Sequence, residues 1–518
     1  MRSLLFLSLP LLSLCSSESA RIATEDTIGL IRTAFTGKSG VKGSVSSGGR
    51  RCADFADTCE AVDAPLNPVW GIPVDFEELS VSYPSAGGEL LPGLTGESVE
   101  HLCGAAGLLD DTVSRHVFVG NLTVPDDRLA YIFQGHHESG GLIQYPRVDY
   151  CPDDYDVRLR PWYSVTASGP KNVIIILDVS QSMLLDGGAD RALELVSTFI
   201  KSILLTADYV QIIAAGTDVS EDGFTLYGDG LLVRASPSAQ EELIAYANAS
   251  LANVQGRSSI AAAAAHVFKL ILDSRRAKRL NSCHGSIVVV SAGEWSPADL
   301  DESTGVQATL NRLNTDDWDM RLFAYNVAAA DATRGRDNMY PLTCDHKGMY
   351  TEVPVGGTAL RRSVSGVLDY FAAASVRVNA VRWVRFLDAF TNQTLLSGCL
   401  PILVTDESPK TLDGVICVDI TLYAPSLDYL EAQSDWNLTQ AHIAASTLSC
   451  SALHLSPEEL NVLRVRNSGE DSACPIIDEG ESEPALIAGV IIATLFGIAG
   501  VIAYLLMRKA DIDAEEEG

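Results

Sequence analysis

The run Asn172-Val173-Ile174-Ile175-Ile176-Leu177-Asp178-Val179-Ser180-Gln181-Ser182 decides how the centre of this chain folds. An unbroken apolar row rich in β-branched residues belongs to a strand buried on both faces, as in a parallel sheet covered by helices. The row stops at Asp178, and a helical pattern follows from Ala189 to Leu205. The alternation then repeats. Tyr209 to Ala215 reads as strand, Ser238 to Ala249 and Ser258 to Leu272 as helices, and Ser286 to Ser291 and Met320 to Val327 as strands. Strands and helices in this order predict a doubly wound α/β domain over residues 171–355.

Asp178, Ser180 and Ser182 stand where the first strand gives way to its helix. The carboxyl ends of parallel strands are where open α/β sheets hold their ligands. One carboxylate and two hydroxyls suit a hard divalent cation, Ca²⁺ or Mg²⁺, with water and a further carboxylate completing the shell. This Asp-x-Ser-x-Ser arrangement resembles the metal-ion-dependent adhesion site of von Willebrand factor A domains. The resemblance implies a hydroxyl from a later loop, which Gly256-Arg257-Ser258 offers through Ser258, and a second Asp after the strand Ile287 to Val290. In Ser291-Ala292-Gly293 that second position is Ala292. Fewer anionic ligands weaken a hard-cation site, which leaves three readings: a weak site, one completed by Glu294, or a vestigial one that keeps the fold alone.

Just ahead of the α/β block stands Tyr155-Asp156-Val157-Arg158-Leu159-Arg160-Pro161-Trp162-Tyr163. The planar fork of Arg pairs with a carboxylate through two hydrogen bonds, while Trp and Tyr wall it in. A cation–π stack at a domain edge is the alternative reading. Behind the block the texture changes to shorter strands, Val381 to Phe386, Leu395 to Val404 and Val415 to Leu422, with Ala130 to Gln134 as a counterpart in front. These predict an antiparallel α+β domain in two halves, residues 61–168 and 360–475, on either side of the α/β block. Asp419 falls inside an apolar strand, where a carboxylate is costly unless paired, and a cationic amine would pair it.

The two halves together resemble the double Cache extracellular sensor domain. In its amino-acid-binding branch the resemblance implies that Arg160 and Trp162 hold a ligand carboxylate and Asp419 its amine, with Tyr155 a further ligand-binding position. The family's pocket Tyr is Phe386 here, so one hydroxyl donor is lost. An A domain inserted directly after Arg160-Pro161-Trp162-Tyr163 is similar to the arrangement of the alpha-2/delta accessory subunits of voltage-gated calcium channels. The architecture this implies is an α/β doubly wound von Willebrand A domain nested in an α+β Cache-like domain with a PAS-like antiparallel sheet, plus one transmembrane helix. It also implies a membrane channel or other cell-surface protein as partner, with a free amino acid as ligand.

The ends of the chain set its compartment. Arg2 followed by the Leu-rich run Leu4 to Leu14 and the small residues up to Ala20 reads as a signal peptide over residues 1–20. An N-terminal segment, 21–60, follows and holds the Gly/Ser-rich stretch Thr36 to Gly49, expected as a flexible loop. The uncharged run Ala485 to Met507 is long enough to cross a hydrocarbon core at about 1.5 Å per residue. Arg508 and Lys509 behind it predict a single-pass type I protein of the plasma membrane or another secretory membrane, with residues 508–518 in the cytosol. Gly489, Ala493 and Gly497 would share one face of that helix.

Ten cysteines besides Cys15 then face an oxidising lumen, where disulfides are expected. Sequons at Asn121, Asn248, Asn392 and Asn437 predict glycosylation. A formal net charge of −30 repels phosphate backbones and excludes nucleic acid as a partner. No HExxH helix and no Gly-x-Ser-x-Gly elbow occur, so the reading is a non-enzymatic binding protein, with an amino-acid-sensing or adhesion receptor as the alternative.

Overall fold

The computed structural model describes residues 16–35, 74–75, 79–82, 85–86, 89–90, 102–109, 131–148, 155–281, 283–315, 318–328, 332–353, 357–374, 381–388, 393–404, 411–423, 426–447, 455–468 and 473–474. The chain divides into two units, Met1–Ala473 and Cys474–Gly518, and every element named below lies in the first. The first elements in chain order are α1 (Ser17–Phe35), β1 (Ser80–Ser82), β2 (Ile132–His136), β3 (Leu142–Tyr145) and α2 (Pro161–Ser168). A middle group follows: β4 (Asn172–Asp178), α3 (Gly188–Ser202), β5 (Tyr209–Ala215), β6 (Phe224–Leu226), α4 (Pro237–Leu251), α5 (Ile260–Arg276), β7 (Gly285–Ser291), α6 (Val306–Leu313), β8 (Arg321–Asn326), α7 (Ala332–Asp345) and β9 (Met349–Glu352). The last are α8 (Gly357–Ala374), β10 (Arg382–Leu387), β11 (Thr394–Val404), β12 (Thr411–Asp419), α9 (Trp436–Thr447) and α10 (Pro457–Ser468).

The middle group builds one sheet in the order β6-β5-β4-β7-β8-β9, parallel throughout except for the edge strand β6 and the short strand Val233–Arg234, both antiparallel to β5. β4 is central, which accounts for its unbroken apolar sequence. Val173, Ile175 and Leu177 enter one core beside Leu195, Val196 and Phe199 of α3, while Ile174 and Ile176 enter another beside Ile260, Ala264 and Val267 of α5. Each large side chain so buried contributes about 1.5–3 kcal/mol of transfer free energy. The chain adds β5 on one side of β4 and later β7 on the other, so the winding reverses at the carboxyl end of β4. Asp178 sits there.

A second, antiparallel sheet has the order β10-β11-β12-β2-β3-β1. Its strands come from before and after the α/β block and meet where Gly414 of β12 pairs with His136 and Cys417 with Phe133 of β2. Cys399 and Cys417, opposite each other on β11 and β12, form a disulfide, and Cys103, Cys283 and Cys344 are disulfide-bonded as well. Phe133, Val415 and Cys417 on one face join Trp162 of α2 and Tyr370 and Phe371 of α8 in the core that also holds Val173 and Ile175. The opposite face is covered by the helix 102–109 and by Ile28 and Ile31 of α1.

α1 runs through the expected boundary at Ala20. It buries Ser17, Ala20, Thr24, Ile28 and Ile31, a helical stripe. Asp435 satisfies its first turn, accepting from the Ser17 and Glu18 backbone N–H groups at 3.1 Å each and from Ser17 Oγ at 2.8 Å. The Leu-rich run ahead of it and the apolar run Ala485 to Met507 lie outside the described residues. Among the described residues no helix is long and apolar enough to cross a membrane. Asn248 on α4 and Asn437 on α9 are exposed, while Asn121 and Asn392 lie outside the described residues.

Candidate functional sites

The polar groups at the end of β4 are held by the two neighbouring strands. Asp178 is fully buried; its Oδ1 accepts the Ser180 backbone N–H at 2.9 Å and its Oδ2 the Ser291 hydroxyl at 2.6 Å. Ser291 stands at the end of β7 because Val290 is in register with Leu177, one residue before Asp178. Its Oγ also accepts the Gly293 N–H at 2.9 Å and the Trp295 indole N–H at 3.1 Å. Gly293 has φ +76°, and a Cβ there would lie 2.0 Å from Gly335 Cα, so only glycine permits this turn to approach α7. Asn338 of α7 donates to the Gly293 carbonyl at 2.7 Å.

Ser180 and Ser182 share a hydrogen bond of 2.9 Å at the floor of a cavity of about 570 Å³, which Ser258, Arg257, Glu294 and Trp295 also line. The Asp-x-Ser-x-Ser residues and Ser258, expected as metal ligands, are thus brought to one place. A buried carboxylate, Asp299, joins them. Its Oδ2 accepts the hydroxyls of Ser258 at 2.6 Å and Ser296 at 2.8 Å, and its Oδ1 accepts the Ala261 N–H at 2.8 Å. Ala292 is buried in the apolar core, whereas Glu294 is exposed. Burial raises the Asp178 pKa, hydrogen bonds from Ser291 and Ser180 oppose that, and the negative charge of Asp299 adds to it.

Asp178, Asp299 and the three hydroxyls are oxygen donors of the kind a hard divalent cation takes. Neither carboxylate is ion-paired with a Lys, Arg or His among the described residues, so the donor set fits a cation. No group of three His, Cys, Asp or Glu that could hold a metal occurs among the described residues, and the fit rests on two carboxylates plus hydroxyls.

The second expected site also assembles in part. Tyr155 and Trp162 line a small cavity with Tyr131, Phe133, Gln144, Phe386 and Asp388. Arg160 is not in that lining; its guanidinium lies 4.0 Å from the Tyr155 ring centroid, and its Nε is buried without a hydrogen-bond partner. The arginine bonded within the motif is Arg158, paired with Asp156 at 2.7 Å in full burial. Asp419 is fully buried and accepts from Thr421 N at 2.8 Å, Thr421 Oγ1 at 2.5 Å and Ser397 Oγ at 3.3 Å. Burial holds its pKa up at about 6 against those hydrogen bonds. Burial first, then the charges of Asp388 and Asp419, push the Tyr131 phenol well above its ordinary value. Asp388 and Tyr131 are pocket residues that sequence reasoning passed over; Asp388, two places after Phe386, was the readable signal. The cavity is about 20 Å³ as formed, room for about one water. His136 and His137 are buried, with Nδ1 of the first 2.8 Å from the Ser139 hydroxyl and Nδ1 of the second 3.0 Å from the Tyr163 phenol, roles in packing.

A strand-end Asp-x-Ser-x-Ser motif in a doubly wound sheet is similar to the arrangement of von Willebrand A domains. The chain is similar to the alpha-2/delta subunits of voltage-dependent calcium channels. It is 25% identical to human subunit alpha-2/delta-4 over 305 residues, which are 57% of this chain and 25% of that protein. Human alpha-2/delta-3 is 27% identical over 245 residues, 46% of this chain and 20% of that one. The chain thus spans a fifth to a quarter of the length of these curated relatives. No family model matches it. Among solved structures, a von Willebrand factor type A protein from Catenulispora acidiphila matches at 11% identity and a TM-score of 0.30, covering 56% of this chain and 61% of that one. The pilus adhesin SpaC from Lactobacillus rhamnosus GG matches at 12% identity and 0.30, covering 48% and 38%.

Proposed function

We propose that this chain is a binding or accessory subunit of a membrane channel or other cell-surface protein. In this reading it is held as a single-pass type I protein with its mass outside the cytosol, and it engages its partner at the end of β4. The observation that carries the reading is the surface around that site. Leu184 and Leu185 follow Ser182 closely and are 59% and 55% exposed, and Leu300 on the cavity wall is 49% exposed. Large exposed apolar side chains next to the motif and on the cavity wall are surface that a protein partner can cover. Arg191 fixes the leucine-bearing segment by donating to the Asp186 carbonyl at 2.5 Å and, through Nε at 2.8 Å, to the Val327 carbonyl. A divalent cation among Asp178, Ser180, Ser182 and Ser258 would keep open positions for an anionic oxygen of the partner. Similarity to calcium channel subunits supports the same reading.

The alternative, an amino-acid-sensing receptor, draws on the aromatic walls and the two carboxylates, Asp388 and Asp419, around the smaller cavity. Tyr155, Arg160, Trp162 and Asp419 would be its ligand contacts, and Tyr155 or Phe386 would have to swing aside to admit a free amino acid. One experiment separates the two. The tagged full chain, purified in mild detergent, should bring down a calcium channel pore subunit, and Leu184→Glu with Leu185→Glu should weaken that capture by about tenfold or more. A chain that purifies alone, and whose melting temperature rises with a free amino acid, would move the conclusion to the receptor.

A further inference from the structure

We propose that Asp299 supplies the second carboxylate of a rearranged divalent-cation site at the end of β4, making good the acid that Ala292 lacks. The proposal deepens, and rests on, the reading of the β4 cavity as a cation site. Three observations carry it. Asp299 is 3% exposed although it follows β7 by a loop, and its carboxylate is held inside by the Ser258 and Ser296 hydroxyls and the Ala261 N–H. Its Oδ2 is bonded to Ser258 Oγ, the hydroxyl expected as a ligand, at 2.6 Å. Asp178 and Asp299 are two buried acids without a cationic side chain paired to either among the described residues, and a divalent cation would pair with both.

The loop is built to present Asp299. Ser258 Oγ accepts the Ser296 N–H at 2.7 Å, which ties the segment after β7 to the loop before α5. Oδ1 takes the Ala261 N–H in the first turn of α5, leaving the Oδ2 edge on the hydroxyl side. Ser258 and Ser296 now spend their hydroxyl protons on Oδ2. A bound cation would take Oδ2 in their place, and Ser258 would turn its lone pairs to the metal. Glu294 would remain a rim residue.

The test uses Tb³⁺ as the probe on the purified full chain, with no partner present, so its failure is distinct from failure of the partner reading. Trp295 is one hydrogen bond from Ser291 and two from Asp178, which places an energy donor beside the site. Indole excitation should give Tb³⁺ emission that Ca²⁺ displaces. Asp299→Asn should weaken it by about tenfold or more, as loss of one anionic ligand does, while Glu294→Gln leaves it unchanged. Emission unaltered by Asp299→Asn, or absent from the parent, overturns the proposal. Should Asp299→Asn fail to fold by circular dichroism, Mn²⁺ anomalous scattering from crystals of the parent decides. A peak ligated by Asp299 directly or through one water supports the proposal, and its absence or a position out of Asp299's reach overturns it.

Discussion

Asp419 ends β12 with no exposed surface, and its carboxyl is held up at about 6, against an ordinary 3.8, chiefly by burial. Folding therefore takes up a proton between those values. Stability from this group is retained at low pH and lost as pH rises from about 3.8 through about 6; above that the native state carries the cost of a buried anion, of order 3 kcal/mol. Asparagine resembles the protonated form. The melting temperature of Asp419→Asn minus that of the parent should thus climb between pH 4 and pH 7, and a difference flat with pH would refute the assignment. At this scale the sequence was partly readable. Asp178, Ser180, Ser182 and Ser258 were singled out by motif; Ser180, Ser182 and Ser258 line one cavity, and the buried Asp178 accepts the Ser180 N–H beside it. Asp299 did not, because its role depends on a hydrogen bond to Ser258, 41 positions away, that no local spacing encodes. For Arg160 the sequence left two readings, a carboxylate clamp and a cation–π stack, and its guanidinium lies 4.0 Å from the Tyr155 ring centroid.

Elements were readable where periodicity was strong. The strand Tyr209–Ala215 has the expected bounds, and β4 extends the expected run by one residue to Asp178. Both lie in the interior of a parallel sheet, where helices on the two faces demand apolar side chains at every position and leave an unbroken run. α7 carries Gly335 and Pro341, which blur its pattern, and was not anticipated. Nor was the start of α1, whose first turn is satisfied by Asp435 from across the fold, 418 positions away. Removing that cap with Asp435→Ala should cost about 1 kcal/mol, as the loss of an N-terminal capping acceptor does, lowering the denaturant midpoint without altering the slope. An unchanged midpoint would show that α1 is held by its buried stripe of Ala20, Ile28 and Ile31 alone.

At the scale of the molecule, the second sheet is completed by strands on both sides of residues 171–355, so the α/β block is set into it as an insertion. Sequence texture indicated the two halves; that β12 and β2 are neighbours follows only from the pairing of Cys417 with Phe133 and Gly414 with His136, a contact between segments far apart in the chain. One apolar core runs from Trp162 and Tyr370 to Val173, which couples the sheet to the domain that carries the cavity. On the proposed reading, the α/β domain offers Leu184 and Leu185 as the surface a partner covers. The most direct measurement is the amount of a calcium channel pore subunit at the cell surface, read by surface biotinylation, with and without the full chain co-expressed. The account predicts an increase that Leu184→Glu with Leu185→Glu abolishes. A surface level that is the same with the parent, the variant and no added chain would contradict it.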